Sequence, residues 1–324
     1  MPVRLIGVDL DGTIYNRRKE VTERTARALR LAKECGTEVV FVTGRPFSGV
    51  SGELLKRTGV RYCITSNGAL TSRVENAGTK ESRAVIVRRA LIPRETAAEV
   101  AGRTAGLGLW CAVFHGGYGY LLREHYEALL NKRRGMANYE YLRTSRYPVD
   151  DLVGHTLRAA EGIENIWIPT AGAGERDAML RELSDLLEPG AAEHGRLMGG
   201  TGGKEILKPA EAGSAGRLLH PVICEGTDIE LGAYGADKGQ AFLGLAASLG
   251  IDAGETMAVG DDRNDLGLLR AAGFSVAMGN APEEVKRACG EVTADCDEDG
   301  AAIAIERRLP GTEHGGRGVN LQRG

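Results

Sequence analysis

The amino-acid sequence predicts an α/β fold, a doubly wound parallel sheet carrying an inserted α+β domain. Three observations predict it. Five short apolar runs, Leu5 to Leu10, Glu38 to Val42, Arg61 to Thr65, Thr256 to Val259 and Phe274 to Ala277, each end in a polar or glycine-rich corner. Segments with helical spacing follow most of these runs, the alternation that builds a parallel sheet with helices on both faces. Between the third and fourth runs the pattern changes to hairpins and isolated strands.

In chain order, Leu5 to Leu10 reads as a buried strand that ends on Asp9, Asp11 and Gly12. Thr22 then offers a cap to a helix whose apolar positions Ala26, Leu29 and Ala32 recur at helical spacing, with Gly36 closing it. The runs at 38 and 61 supply the next two strands. Residues 109 to 114 and 118 to 122, separated by His115-Gly116-Gly117, read as a hairpin, and Ile163 to Ile168 and Thr227 to Leu231 as further strands. The chain therefore divides into a core of 1–90 plus 233–307 and an insertion of 91–232. Glycine-rich 199–203 and Pro209 to Gly216 read as loops of the insertion. Lys238 to Leu249 reads as a helix ended by Gly250, and 308–324 lacks apolar periodicity and is expected to be disordered.

With 324 residues and a formal net charge of −3, the chain can bury a large core but carries no general basic field for nucleic acid. No apolar stretch reaches about 18 residues, so no membrane span is expected. Six scattered cysteines without a C-x-x-C pair argue for reduced thiols and a cytoplasmic location. Nothing in the sequence speaks to oligomeric state.

The chemistry gathers at the corners. The first offers Asp9 and Asp11, the second Thr43, Gly44 and Arg45, another Asp237 and Lys238 at a helix start, and "VGDDRND" offers Asp261, Asp262, Asn264 and Asp265. In a parallel sheet such corners share the edge where ligands bind. Two carboxylates about 4 Å apart repel by roughly 4 kcal/mol at an effective dielectric near 20, so the cluster calls for a hard divalent cation. Magnesium suits it, because Mg2+ takes one or two carboxylates, keeps waters and binds substrate phosphate. Taken singly, each corner also fits a plain turn or a helix cap.

In their order, "DLDGT", "VTGR", "GADKGQA" and "GDDRND" resemble the four motifs of the haloacid dehalogenase superfamily of phosphatases. "TSNGA" at 65 to 69 and "VAMGNAPEEVK" at 276 to 286 are similar to the Cof-like subfamily, whose large α/β cap is inserted between the second and third motifs. The resemblance implies a Rossmann-like core and a magnesium-dependent phosphatase of a small phosphorylated metabolite, such as a sugar phosphate. It further implies Asp9 as the nucleophile that becomes an aspartyl-phosphate, and Asp11 as general acid and then base. Thr43 and the backbone near Gly44 would hold phosphoryl oxygens, and Lys238 would neutralise nucleophile and phosphate. Asp9, the Asp11 carbonyl and Asp261 would bind magnesium, with Asn264 and Asp265 supporting its waters or the lysine. Asp262 stands where many relatives have a small residue. A phosphomutase and a non-catalytic phospho-ligand sensor are the competing readings.

For Arg45, Asn67 and Asn280, substrate contact and local turn or structural roles both stand. "GGTGGKE" at 199 to 205 lacks the Walker spacing, and the histidines show no i, i+4 metal pair. Lys132-Arg133-Arg134 reads as a solvated face, and Trp110, Phe114, Tyr118 and Tyr120 as cap core. His115, Tyr118, Tyr120 and Arg123 are nonetheless candidates for contacting the substrate beyond its phosphate.

Overall fold

The computed structural model describes residues 2–76, 83–188, 219–224 and 227–309. The chain opens with β1 (Leu5–Val8), α1 (Glu23–Glu34), β2 (Glu38–Val42), α2 (Gly52–Thr58), β3 (Tyr62–Thr65), β4 (Leu70–Glu75) and β5 (Arg83–Arg89). A second group follows: α3 (Arg94–Gly106), β6 (Ala112–His115), β7 (Tyr118–Leu122), α4 (Arg123–Arg133), α5 (Tyr139–Ser145), β8 (Arg146–Val149), α6 (Leu152–Leu157), β9 (Asn165–Ile168), α7 (Ala173–Glu182), β10 (Leu219–Cys224) and β11 (Asp228–Ala233). The chain then returns through α8 (Lys238–Ser248), β12 (Thr256–Gly260), α9 (Leu266–Ala271), β13 (Phe274–Ala277), α10 (Glu283–Ala288), β14 (Glu291–Val292) and α11 (Gly300–Glu306).

The larger sheet has the order β14-β13-β12-β1-β2-β3-β4-β5. It is parallel from β14 to β3, and β4 and β5 extend it antiparallel. That antiparallel edge escapes sequence reading, because β5 is "RAVIVRR" and β4 carries Thr71, Ser72 and Arg73 rather than an apolar run. Charged edge strands of this kind resist pairing with other chains. The central strands bury both faces, as parallel strands between helices must. Ile6, Val8, Val39 and Phe41 pack with Leu29 of α1 and Ile305 of α11, while Leu5, Val40 and Val42 pack with Phe242 and Leu245 of α8. Thr22 does cap α1, its hydroxyl accepting from Thr25 N.

The second sheet runs β10-β11-β9-β6-β7-β8. One face buries Val113, Ile166, Ile168, Ile229 and Leu231 under α3 and α7. The opposite face holds Ala112, Phe114 and Leu121 against Leu129 of α4 and Leu142 of α5. Several hydrogen bonds tie this layer to the larger sheet. Ser48 N donates to Gly117 O at 3.1 Å, and buried Glu164 accepts from Ser66 Oγ at 3.0 Å and Gly117 N at 2.7 Å.

The ordered chain runs past 308: Arg308 bonds Glu291 and Leu309 is buried in the core, because both continue the packing of α11. The remaining tail and the expected loops at 199–203 and 209–216 lie outside the described residues.

Candidate active site

Four carboxyl ends of parallel strands converge. Past β1, Asp9 N still bonds Val259 O, but the Leu10 carbonyl accepts three successive amides, which turns the chain and ends the strand two residues before Leu10. Gly12 completes that turn with φ +81°, where a Cβ would collide with the Asp261 carboxylate. Past β2 come Thr43 and Arg45, and past β3 come Ser66 and Asn67, both left-handed at φ 50° and 53°. Past β12 come Asp261 and Asp265.

Lys238, buried at the start of α8, joins these corners. Its Nζ donates to Asp9 Oδ1 at 2.8 Å and to Asp265 Oδ1 at 2.6 Å. Asp265 Oδ2 accepts from Asp261 N and Asp262 N, so both its oxygens are engaged. Asp261 accepts from Thr13 Oγ1 at 2.9 Å and Asn280 Nδ2 at 3.1 Å. Carboxylate oxygens of Asp9, Asp261 and Asp265 lie within 4.8 Å of one another. Burial, then the Asp265 charge, raises Asp9 to about 7, and burial with the Asp9 charge raises Asp261 to about 9. Burial works against the Lys238 ammonium, yet the Asp265 and Asp9 carboxylates hold its pKa well above the ordinary value.

Asp11 is held differently. Burial would raise it, but hydrogen bonds and charge from Arg45, and then Lys19, bring it down to about 2. Arg45 donates from Nε and Nη2 at 2.6 Å each, and Lys19 Nζ at 2.8 Å. The Arg45 guanidinium lies 4.9 Å from the Tyr15 ring centroid and 4.2 Å from that of Tyr141, on α5 of the second layer.

A cleft of about 190 Å³ opens above Asp9 between the two layers. Asp11, Thr43, Gly44, Arg45, Asp262 and Asn264 line it from below. From above come Phe114, Arg133, Tyr141, Arg146, Trp167 and Glu230. Asn67 sits beneath the roof: its Nδ2 bonds Glu230, and a Cβ on Gly44 would approach Asn67 Oδ1 to 3.1 Å. Asn280 does not line the cleft. It bonds Gly12 O and Asp261 from behind and accepts from Cys296 N, which ties three loops together.

Several sequence expectations are corrected here. Arg133 lines the cleft instead of a solvated face, because α4 lies between the second sheet and the site. His115, Tyr118, Tyr120 and Arg123 do not line the Asp9 cleft. His115 stacks on Tyr120 and lies 3.0 Å from His155 Nε2, Tyr118 is exposed beside Tyr147, and exposed Arg123 pairs with Asp150. Glu230, Trp167 and Asn165 were missed, although alternation marks them: Ile166 and Ile168, and Ile229 and Leu231, face the apolar core, so their in-between neighbours face the cleft.

A buried lysine spanning two carboxylates, an acidic trio and a second acid clamped by Arg45 all stand at the carboxyl edge of a parallel sheet, where such folds bind their ligands. The family model for haloacid dehalogenase-like hydrolases matches residues 6–141 and 218–305, and the chain belongs to that family, in its Cof-like phosphatase branch. Phosphatase YwpJ of Bacillus subtilis is 30% identical over 315 residues, 95% of this chain and 100% of its own. A solved haloacid dehalogenase-like hydrolase from B. subtilis superposes with a TM-score of 0.72 at 26% identity, over 94% of this chain and 99% of that one. The sugar phosphatase BT4131, of subclass IIB, shares the fold with a TM-score of 0.70 at 21% identity, over 94% and 98%.

Proposed function

We propose that the chain is a magnesium-dependent phosphomonoester hydrolase acting on a small phosphorylated metabolite through an aspartyl-phosphate on Asp9. The observation that carries this reading is the Lys238 bridge, which fixes Asp9 Oδ1 while Oδ2 has no hydrogen-bond partner among the described residues. Residues 1–90 with 233–307 act as the catalytic core and 91–232 as the cap. The five described cysteines are free thiols, which supports a cytoplasmic location.

The donor set fits a hard divalent cation, since three crowded carboxylates face a single ammonium. Asp9, the Asp11 carbonyl and Asp261 would hold magnesium, which when bound supplies positive charge to the phosphoryl oxygens. Asp265 is spoken for by Lys238 and two amides, so it positions rather than ligates, and Asn264 at the cleft wall would support the metal's waters.

Asp9 attacks phosphorus as the bond to the leaving oxygen breaks, and Asp11 delivers a proton to that oxygen. Asp11 then takes a proton from water, whose oxygen attacks phosphorus and breaks the bond to Asp9, releasing inorganic phosphate. Thr43 and the Gly44 backbone hold phosphoryl oxygens, and Lys238 balances charge throughout. The sugar phosphatase named above supports a sugar phosphate or similar polyol phosphate as the substrate class. Phosphate release from p-nitrophenyl phosphate with magnesium, without a bisphosphate activator, tests the reading against a phosphomutase. No turnover in that assay, or across a panel of sugar phosphates, would refute it.

A further inference from the structure

Two arginines are buried in the described chain, Arg45 and Arg146, and only one has an acid. Arg45 has Asp11. Arg146, 7% exposed at the start of β8, has a single hydrogen bond among the described residues, from Nη1 to Ser145 Oγ at 2.8 Å. Its Nε is buried without a partner, and among the described residues no carboxylate lies within ion-pair distance.

The surroundings are built to hold that guanidinium in place. Its central carbon lies 4.8 Å from the Tyr141 ring centroid, 5.4 Å from Phe114 and 5.9 Å from Trp167. Gly119, paired with Arg146 across β7 and β8, leaves the room: a Cβ there would come within 2.7 Å of Phe114 and 3.1 Å of Arg146 Cγ. Aromatic faces soften the burial of a cation but leave the in-plane N–H groups unused. A buried charge without an acceptor is costly, so the plane of donors calls for an anion that is absent from the described chain. Arg146 and its three rings line the cleft that contains Asp9. The carboxylate on this side of the cleft, Glu230, accepts from Asn67 and Asn165.

We propose that Arg146 is the specificity residue for a second anionic group on the substrate, so that the preferred substrates are short phosphorylated acids or bisphosphates rather than neutral polyol phosphates. This rests on the phosphatase reading above and departs from its neutral polyol phosphates in favour of phosphate esters that carry a second anion. The Arg45 and Arg146 carbons stand 4.2 and 4.8 Å from the same Tyr141 centroid, so the two guanidinium carbons lie within about 9 Å of each other. A short carbon chain carries a phosphoryl group at the Asp9 end and its other anion beneath Arg146, where the fork of donors takes a carboxylate or phosphate in two parallel hydrogen bonds.

The test uses matched pairs: 6-phosphogluconate against glucitol 6-phosphate, 3-phosphoglycerate against glycerol 3-phosphate, and fructose 1,6-bisphosphate against fructose 6-phosphate. The wild-type chain should favour at least one kind of second anion, carboxylate or phosphate, by about tenfold or more in kcat/KM, mainly through KM. Arg146→Gln should shrink that preference to within about twofold, and Arg146→Lys should keep part of it. The preference reading falls if the wild type favours the neutral member of every pair, or if Arg146→Gln slows both members of each pair by one factor, which is what a purely structural arginine would do. Calorimetric binding of the same pairs to wild-type chain and to Arg146→Lys reads the contrast without turnover, and covers the case in which Arg146→Gln does not fold. Hydrolysis of p-nitrophenyl phosphate by the wild type separates the two readings: turnover there with no preference for an anion overturns the role of Arg146 alone.

Discussion

Arg45 closes on Asp11 through two hydrogen bonds of 2.6 Å, one to each carboxylate oxygen. A carboxyl group held at about 2 cannot deliver a proton near neutral pH, so this pairing must loosen when Asp11 works as an acid. The phosphoryl group of a substrate is the anion that competes for the guanidinium. Asp11→Asn is therefore expected to lose at least tenfold more rate on an alkyl phosphate than on p-nitrophenyl phosphate, whose leaving group departs without a proton, within the range of about 10²–10⁴ that general acids supply. Steady-state kinetics on both esters checks this, and equal losses would remove the acid role.

Asp9→Asn should abolish turnover by more than about a thousandfold, roughly 4 kcal/mol of barrier, and leave the fold in place. The amide keeps the side chain's shape but cannot attack phosphorus as a carboxylate does. Phosphate release and thermal unfolding of the variant are the measurements. Residual activity within about tenfold of wild type would take the nucleophile role from Asp9.

Lys238→Met removes the ammonium from between two buried acids. Lys238, Asp9 and Asp265 side chains are 1%, 7% and 1% exposed, so water cannot replace the lost charge. Breaking such a pair typically costs about 3–5 kcal/mol, and urea unfolding without added metal should show a loss of this size. A change below about 1 kcal/mol would contradict the bridge.

Stability of the metal-free chain should fall as pH rises. The folded protein binds protons at Asp9 and Asp261 more tightly than the unfolded chain, whose carboxylates titrate near 3.8. Their contribution is thus full below 3.8 and is lost as pH climbs through about 7 for Asp9 and about 9 for Asp261. Melting with a chelator between pH 6 and 9 should show the decline, and magnesium should flatten it by neutralising the same carboxylates. A flat metal-free profile would show that the acids do not repel as their geometry implies.

The corners around Asp9 were legible because acids and hydroxyls at the ends of apolar runs are conspicuous against the strands that carry them. The antiparallel edge was not, since the apolar stretch of β5 is only four residues long, Ala84 to Val87, and is bracketed by Arg83, Arg88 and Arg89. The cleft roof was hidden for another reason. Phe114 is apolar and reads as core, Trp167 falls inside the apolar strand Ile163 to Ile168, and the strand pattern alone does not say what lies against a sheet's second face. The bond from Asn67 to Glu230 joins positions 163 residues apart, a separation no local pattern encodes. Asn280 and Arg45 were placed near the chemistry by motif alone, and only the fold separates the one behind Asp261 from the one on Asp11.

Tyr141 belongs to α5 of the upper layer, yet its ring stacks on the guanidinium that restrains Asp11 in the lower one. Any swing of α5 away from the core strips that ring from Arg45 and exposes the clamp to solvent, where its hold on Asp11 weakens. In the proposed reaction, the position of α5 and the proton affinity of Asp11 would then be coupled. With the ring in place, Asp11 stays an ionised carboxylate whose two oxygens are both taken by Arg45, with no proton to give. On the proposed function, an incoming phosphate ester would supply the anion that draws Arg45 off, so that the cargo itself is the key.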